Sequence, residues 1–249
     1  MKKAQTISIY KMPPEIYNIY MSTKIEARNF QEVYNQIKKT LDKKNTIKIL
    51  DLCCGTGIFF RNWLSQKRNI CYIGVDINKD FLAFARKKIT SSRVAFIESD
   101  ASKAKLGKKF DIVLATSAYH HIEDSGKGKF LENAKRHLDE NGILVIYEKL
   151  IAEFNSKIEA AKAGTNFYAE RILDMMGEEK LNQMQLFALY NELYLTAVRK
   201  EEYKVPYNRI ISDLQKTGFN VLKEIKLWPK NNKFVDPKVG DFVFVCKKA

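Results

Sequence analysis

Three acidic residues, Asp51, Asp76 and Asp100, each stand at the end of a short apolar run in the first half of the chain. The first opens Asp51-Leu52-Cys53-Cys54-Gly55-Thr56-Gly57, where glycines permit positive φ and let a ligand lie against bare backbone. Asp76 closes Ile73-Gly74-Val75-Asp76, placed to accept hydrogen bonds from the ribose diol of an adenine nucleoside. Asp100, in Glu98-Ser99-Asp100-Ala101, then sits beside the adenine. A lone Gly-x-Gly says little; three strand ends carrying the right polar groups in order say much more. His120 and His121 are the candidates for proton transfer, because imidazole titrates near neutrality; the alternative is that both only shape the loop and pack near the bound ligand. If the backbone there is extended, adjacent side chains point apart, so at most one of the two faces a substrate. Tyr119 and Glu148 are weaker candidates, and Glu148 reads equally well as a solvated acid at a strand end.

These residues need elements to hold them. Ile47 to Leu52 reads as a buried strand, and the glycines after it open an amphipathic helix through Phe59, Phe60, Trp63 and Leu64. Cys71 to Asp76, Val94 to Ile97, Phe110 to Thr116 and Gly142 to Tyr147 repeat the strand pattern, with helices around Phe81 to Ile89 and Phe130 to Leu138 between them. Strands alternating with helices mean βαβ units, and right-handed crossovers make the sheet parallel and doubly wound. After Pro206 a helix runs to about Thr217, then Val221 to Leu227 and Phe242 to Cys246 read as two antiparallel strands. The expected fold is α/β: a Rossmann-like, seven-stranded mixed sheet with an antiparallel C-terminal hairpin.

Two stretches stand outside the alternation. Residues 1–45 form a helical N-terminal cap carrying Tyr10, Tyr17, Tyr20, Tyr34 and Ile37, and residues 150–205 look helical throughout, a lid inserted into the chain. Residues 46–149 are then the nucleoside-binding core, and residues 206–249 complete it.

Composition narrows the class. The chain of 249 residues is 45% hydrophobic and 29% charged, enough to bury a full core. Its 43 Lys and Arg exceed 29 Asp and Glu for a net charge of +14, which raises a polyanion partner. The excess is scattered lysine with no arginine-rich arm, so nucleic acid ranks behind a small molecule as partner. Cys53, Cys54, Cys71 and Cys246 form no C-x-x-C pair, which predicts reduced thiols. With no second cysteine pair and histidine only at 120, 121 and 137, no metal site is expected. Lys2 and Lys3 are followed by no apolar core, and no run reaches the roughly 18 residues of a membrane span. A cytoplasmic protein is expected; the oligomeric state is unread.

The chain resembles the class I S-adenosylmethionine-dependent methyltransferases. Their glycine-rich strand end, D-[LV]-G-x-G-x-G, matches Asp51 to Gly57 except that Cys53 takes the first glycine position, as in the D-L-C-C-G-[ST]-G variant of quinone-ring methyltransferases. Phe110-Asp111-Ile112-Val113 leading to Tyr119-His120-His121-Ile122 is similar to the family's F-D-x-V…L-H-H-[LV] segment, and His137 to Leu144 is similar to its L-K-P-G-G-x-L turn. The cofactor this implies is S-adenosylmethionine. Cys53, Gly55 and Gly57 would line its methionyl and ribose portion, and Asp51 would hold its amino group directly or through water. Asp76 would take the ribose hydroxyls, Ile77 would pack on the adenine, Asp100 and Ala101 would bind its edge, and Thr116 and Ser117 would back the sulfonium. Tyr17, Tyr20 and Arg28 would close over the cofactor, Arg28 pairing with its carboxylate, while Tyr190 and Tyr194 of the lid are candidates for acceptor contact.

A sulfonium leaves readily, so in-line displacement depends chiefly on holding the acceptor about 3 Å from the methyl carbon. The leading expectation is methyl transfer to O, N or C of a small-molecule acceptor. An RNA or protein methyltransferase would instead gather basic residues around the pocket mouth, and a cyclase or lyase on the same cofactor would release methylthioadenosine without an acceptor. A non-catalytic binder would not need the intact glycines and acids.

Overall fold

The computed structural model describes Ser8 and residues 11–42, 45–231 and 233–249; Tyr10 lies outside them. Five strands run parallel: β1 (Ile47–Leu52), β2 (Ile70–Asp76), β3 (Val94–Glu98), β4 (Phe110–Thr116) and β5 (Leu138–Leu150). β6 (Phe219–Trp228) and β7 (Gly240–Lys248) complete a seven-stranded sheet of order β3-β2-β1-β4-β5-β7-β6, β7 being antiparallel to both of its neighbours. The order reverses between β1 and β4, and a sheet wound both ways from that point leaves a crevice at its carboxyl ends.

Period-two alternation sends side chains to two separate cores. Ile112, Leu114, Val145 and Val243 face a layer built on α2 (Lys24–Leu41) and α5 (Lys157–Glu178). Val113, Ala115, Leu144 and Phe244 face α4 (Lys127–His137) and α7 (Tyr207–Lys216). On α7, Ile210 and Leu214 are wholly buried one turn apart, and each contributes roughly 1.5–3 kcal/mol by leaving water. α1 (Pro14–Met21) and α6 (Gln183–Ala197) pack on the α2 and α5 side, while α3 (Lys79–Lys88) follows β2.

Several elements differ from expectation. β5 begins at Leu138, which pairs with Phe110 ahead of a bulge. Gly142 allows that approach, since a Cβ there would meet the Phe110 and Asp111 carbonyls at 2.9 and 3.0 Å. The helix after the glycine loop is short and ends in a π-helical turn, Phe60–Leu64. The insertion is not helical throughout: α5 and α6 form a hairpin, and the segment after them turns back to the sheet, where the Ile151 amide donates to the Val205 carbonyl at 3.2 Å.

Cap and lid are tied to the sheet by buried charges. Glu26 of α2 meets Arg171 of α5 at 2.7 Å and Lys149 of β5 at 3.3 Å, and Arg171 reaches Asp241 of β7 at 2.6 Å. Burial opposes ionisation of Glu26, but Lys149 and Arg171 override it and bring its carboxyl down to about 2. Such a network stays ionised only because each charge has a partner.

Candidate functional site

The β1 strand end builds the floor of the site. Cys53, Gly55 and Gly57 all take left-handed backbone, with φ of 62°, 56° and 67°. The glycines adopt it freely, whereas the cysteine bears a cost of about 1–2 kcal/mol. Gly57 serves packing: a Cβ there would sit 2.8 Å from Ile89. Gly55 is the open one, with the Tyr17 ring of α1 at 3.5 Å from where its Cβ would be.

Asp76 ends β2 against this loop. Its Oδ2 accepts from the Gly55 amide at 2.7 Å and its Oδ1 from the Asn78 amide at 2.8 Å, leaving lone pairs for a diol. Burial pushes its carboxyl up, although these amides pull the other way. Asn78 caps α3 by accepting from the Asp80 and Phe81 amides, a helix start of ordinary type. After β3, Asp100 accepts from the Ser102 amide at 2.8 Å and pairs with Lys103 at 2.9 Å.

Together these ends line a cavity of about 490 Å³. Of the expected site residues it brings together Cys53, Gly55, Asp76, Ile77, Asp100, Ala101, Ser117 and His121, with Tyr17 as cover. Ser117 follows β4 at φ 53°, its hydroxyl accepting from Lys149 Nζ at 2.7 Å; Thr116 stays in the strand, buried beside Tyr147 of β5, off the cavity wall. Asp51 lies beneath the loop. Its Oδ2 accepts from the Tyr72 hydroxyl at 2.6 Å, and its Oδ1, fully buried, has no hydrogen-bond partner among the described residues.

Five expected residues are elsewhere. Arg28 is on the outer face of α2, paired with Glu178 at 2.8 Å, and no arginine lines the cavity among the described residues. Tyr20 is buried under the lid, its hydroxyl donating to Glu26 at 2.9 Å and Glu192 at 3.2 Å. Tyr190 and Tyr194 point to solvent from α6, because the inner face of that helix carries Ala188, Leu189 and Leu195. Tyr119 donates to Asp213 at 2.5 Å, on the far side of the sheet.

The histidines sit on a 3₁₀ turn, Tyr119–His121, so they do not diverge as extended neighbours would: their ring centroids are 4.2 Å apart. His121 reaches the cavity, with Nδ1 3.0 Å from the Glu201 carbonyl. His120 is buried, with Nδ1 2.7 Å from Glu148. Burial, and then Lys204, push its pKa well below the ordinary range. Glu148 is thus no solvated strand-end acid, and burial raises its pKa. Sequence reasoning missed Phe81, Ser102 and Ile122 on the wall and Glu202 and Lys204 behind the histidines. Only Asn78 had a local signal, its capping position.

The residues present fit S-adenosylmethionine: an orphaned buried carboxylate oxygen on Asp51 for its ammonium, two acceptors on Asp76 for its ribose, and the bare Gly55 backbone between them. The family described as methyltransferase domain matches residues 49–142. A carboxy-S-adenosyl-L-methionine synthase of Campylobacter lari is 24% identical over 76% of this chain and 76% of its own length. A ubiquinone/menaquinone biosynthesis C-methyltransferase of Campylobacter jejuni is 26% identical over 77% of this chain and 89% of its own. An S-adenosylmethionine-dependent methyltransferase from Clostridium acetobutylicum has the same fold, with a TM-score of 0.61 at 14% identity, covering 94% of this chain and 98% of that one. With the Asp51 to Gly57 loop, the Asp76 carboxylate at the end of β2 and the mixed seven-stranded sheet, these likenesses place the chain in the class I S-adenosylmethionine-dependent methyltransferase superfamily, as an enzyme whose cofactor is S-adenosylmethionine.

Proposed function

We propose that the acceptor is a small molecule, taken into the same cavity beside the cofactor. One observation carries this reading: the cavity wall holds three carboxylates, Asp76, Asp100 and Glu123, against two lysines, Lys103 and Lys129. The net charge of +14 is therefore spread over other surfaces, and a phosphate backbone finds no basic rim at the cavity.

The cofactor supplies an activated methyl group on sulfur, and the chain's part is placement. Asp76 fixes the ribose, Asp51 the amino end, and Asp100 with Ala101 the adenine edge, while Ile77 and Phe81 flank it. Tyr17 covers the loop from above and excludes water, held by Phe81 at 5.0 Å between ring centroids. Ser117, backed by the Lys149 ammonium, faces the reacting end. His121 meets the acceptor: the Glu201 carbonyl engages Nδ1, which turns the remainder of the ring toward the cavity.

Incubation of the protein with S-adenosylmethionine alone, followed by mass spectrometry, tests the reaction class. A stable cofactor, with methylation appearing when a pool of hydroxy- and amino-substituted small molecules is added, supports the proposal. Methylation of RNA or protein in preference overturns it, as does methylthioadenosine released without any acceptor. His121→Ala should lower turnover at least about tenfold while leaving cofactor affinity within about twofold; equal loss of both would place His121 in packing.

A further inference from the structure

Behind the cavity wall, three side chains from two separate stretches of the sequence converge. His120 and His121 come from the turn after β4, and Glu202 comes from the segment that follows α6, fastened where the Tyr203 amide donates to the His120 carbonyl at 2.6 Å. Glu202 Oε2 is 3.6 Å from His120 Nε2, and Glu202 Oε1 is 3.3 Å from His121 Nδ1. One donor atom from each residue lies within 4.8 Å of the others. An ion bound at 2.0–2.1 Å by tetrahedrally arranged donors holds those donors about 3.3 Å apart; Glu202 Oε1 and His121 Nδ1 already stand at that spacing, and His120 Nε2 reaches it by a shift of side chains.

The hydrogen bonding around the group is incomplete in the way a cation would complete it. A carboxylate only accepts, so His120 donates Nδ1–H to Glu148. The Nε2 lone pair is left facing another carboxylate, that of Glu202. Lys204 occupies Glu202 Oε2, while Oε1 is buried and has no hydrogen-bond partner among the described residues. A buried acceptor without a donor is costly. One positive ion between Oε1 and the two imidazoles satisfies both defects.

We propose that His120, His121 and Glu202 bind a first-row divalent cation, with Zn²⁺ as the ion best matched to two imidazoles and a carboxylate, and with Glu148 orienting His120 from the far side. A carboxylate on the second ring nitrogen is the usual support of a metal-bound histidine. Binding displaces the proton that His121 Nδ1 shares with the Glu201 carbonyl. Three protein donors leave a position open, and because His121 lines the cavity, that position faces the space beside the cofactor. It would take an oxygen or nitrogen of the acceptor.

Protein stripped with EDTA and titrated with Zn²⁺ alone by calorimetry, and with Co²⁺ alone by visible absorption, tests the site without any methyl transfer. One ion per chain is expected, with Co²⁺ bands typical of nitrogen and oxygen donors. His121→Ala and Glu202→Gln should each weaken binding at least tenfold, and Glu148→Gln by 10–100-fold, while Cys71→Ser, which alters an exposed thiol, should change nothing. Melting curves separate lost binding from lost fold; His121→Ala, on the partly exposed ring, decides the matter if Glu202→Gln does not fold. Absence of a stoichiometric ion overturns the proposal. Retention of full affinity in His121→Ala, or a thiolate charge-transfer band from Cys53 or Cys54, overturns it as well.

Discussion

Cofactor binding should expel a proton from Asp51. Burial pushes this carboxyl up to about 7; the Tyr72 hydroxyl pulls it down and Asp76 adds to the rise. Against an unfolded value near 3.8, keeping it in the fold at pH 7 costs about 4 kcal/mol at 1.36 kcal/mol per pH unit. The folded value lies above the unfolded one, so the stability linked to this proton is fully present below about pH 4 and is lost as pH rises through about 7. An ammonium brought to the orphaned Oδ1 reverses the balance by favouring the ionised form. Titration with S-adenosylhomocysteine, which has the same amino end and no methyl to transfer, should release about nine-tenths of a proton at pH 6 and about one-tenth at pH 8, from the fraction of Asp51 still protonated. Calorimetry in two buffers of different ionisation enthalpy counts those protons, and Asp51→Asn, which keeps the shape, should remove most of the release at pH 6. Release that is absent at pH 6, or undiminished in Asp51→Asn, would refute the placement of the ammonium.

Asp76→Ala removes the two charge-assisted bonds proposed to the ribose and strands the Gly55 and Asn78 amides; at about 1.5–3 kcal/mol for each bond, the Kd for S-adenosylhomocysteine should rise at least about 150-fold, and an unchanged value in calorimetry takes Asp76 out of the site. Tyr17→Ala uncovers Gly55, so cofactor should leave faster in stopped-flow fluorescence; an unaltered rate means that Tyr17 is not a cover. Arg171→Ala leaves Glu26 and Asp241 buried without their partner and should cost about 3–5 kcal/mol in denaturant unfolding; a loss below about 1 kcal/mol would show that the network relaxes or takes in water.

The part of the cavity wall at the ends of β1, β2 and β3 was legible because each of its residues is placed by its own strand end. Asp76 and Asp100 need only that β2 and β3 stop where apolar text stops, and Gly55 needs only the turn that follows β1. Arg28 was misplaced because helix phase was not applied to it. The buried face of α2 runs through Ile25, Asn29, Phe30, Val33 and Ile37, and a residue one before Asn29 falls outside that stripe. Glu26 and Arg171 escaped notice for a different reason: charged residues on helices ordinarily mark the solvated side, and nothing local shows that two opposite charges on α2 and α5 will meet across the top of a sheet. Glu202 was equally invisible, since what brings it to the histidines is the path of the chain after α6.

The end of β5 explains why these unread residues matter to the readable ones. Tyr147, Glu148 and Lys149 alternate across the sheet as strand residues must. Tyr147 donates to Glu26 at 2.8 Å and accepts from Asn29, on the side of the cap. Glu148 turns the other way and takes His120. Lys149 returns to the cap side, yet it reaches both Glu26 and the Ser117 hydroxyl at the cavity wall. Burial alone would neutralise this lysine, but the carboxylates of Glu26, Glu192 and Asp241 together offset that and raise its pKa. The positive charge behind Ser117 therefore depends on a carboxylate carried by the N-terminal cap and held by an arginine of the lid. Cap, lid and cavity wall share one ionic network, and through it the insertion, none of whose described residues lines the cavity, bears on the charge at the wall that Tyr17 of the cap covers.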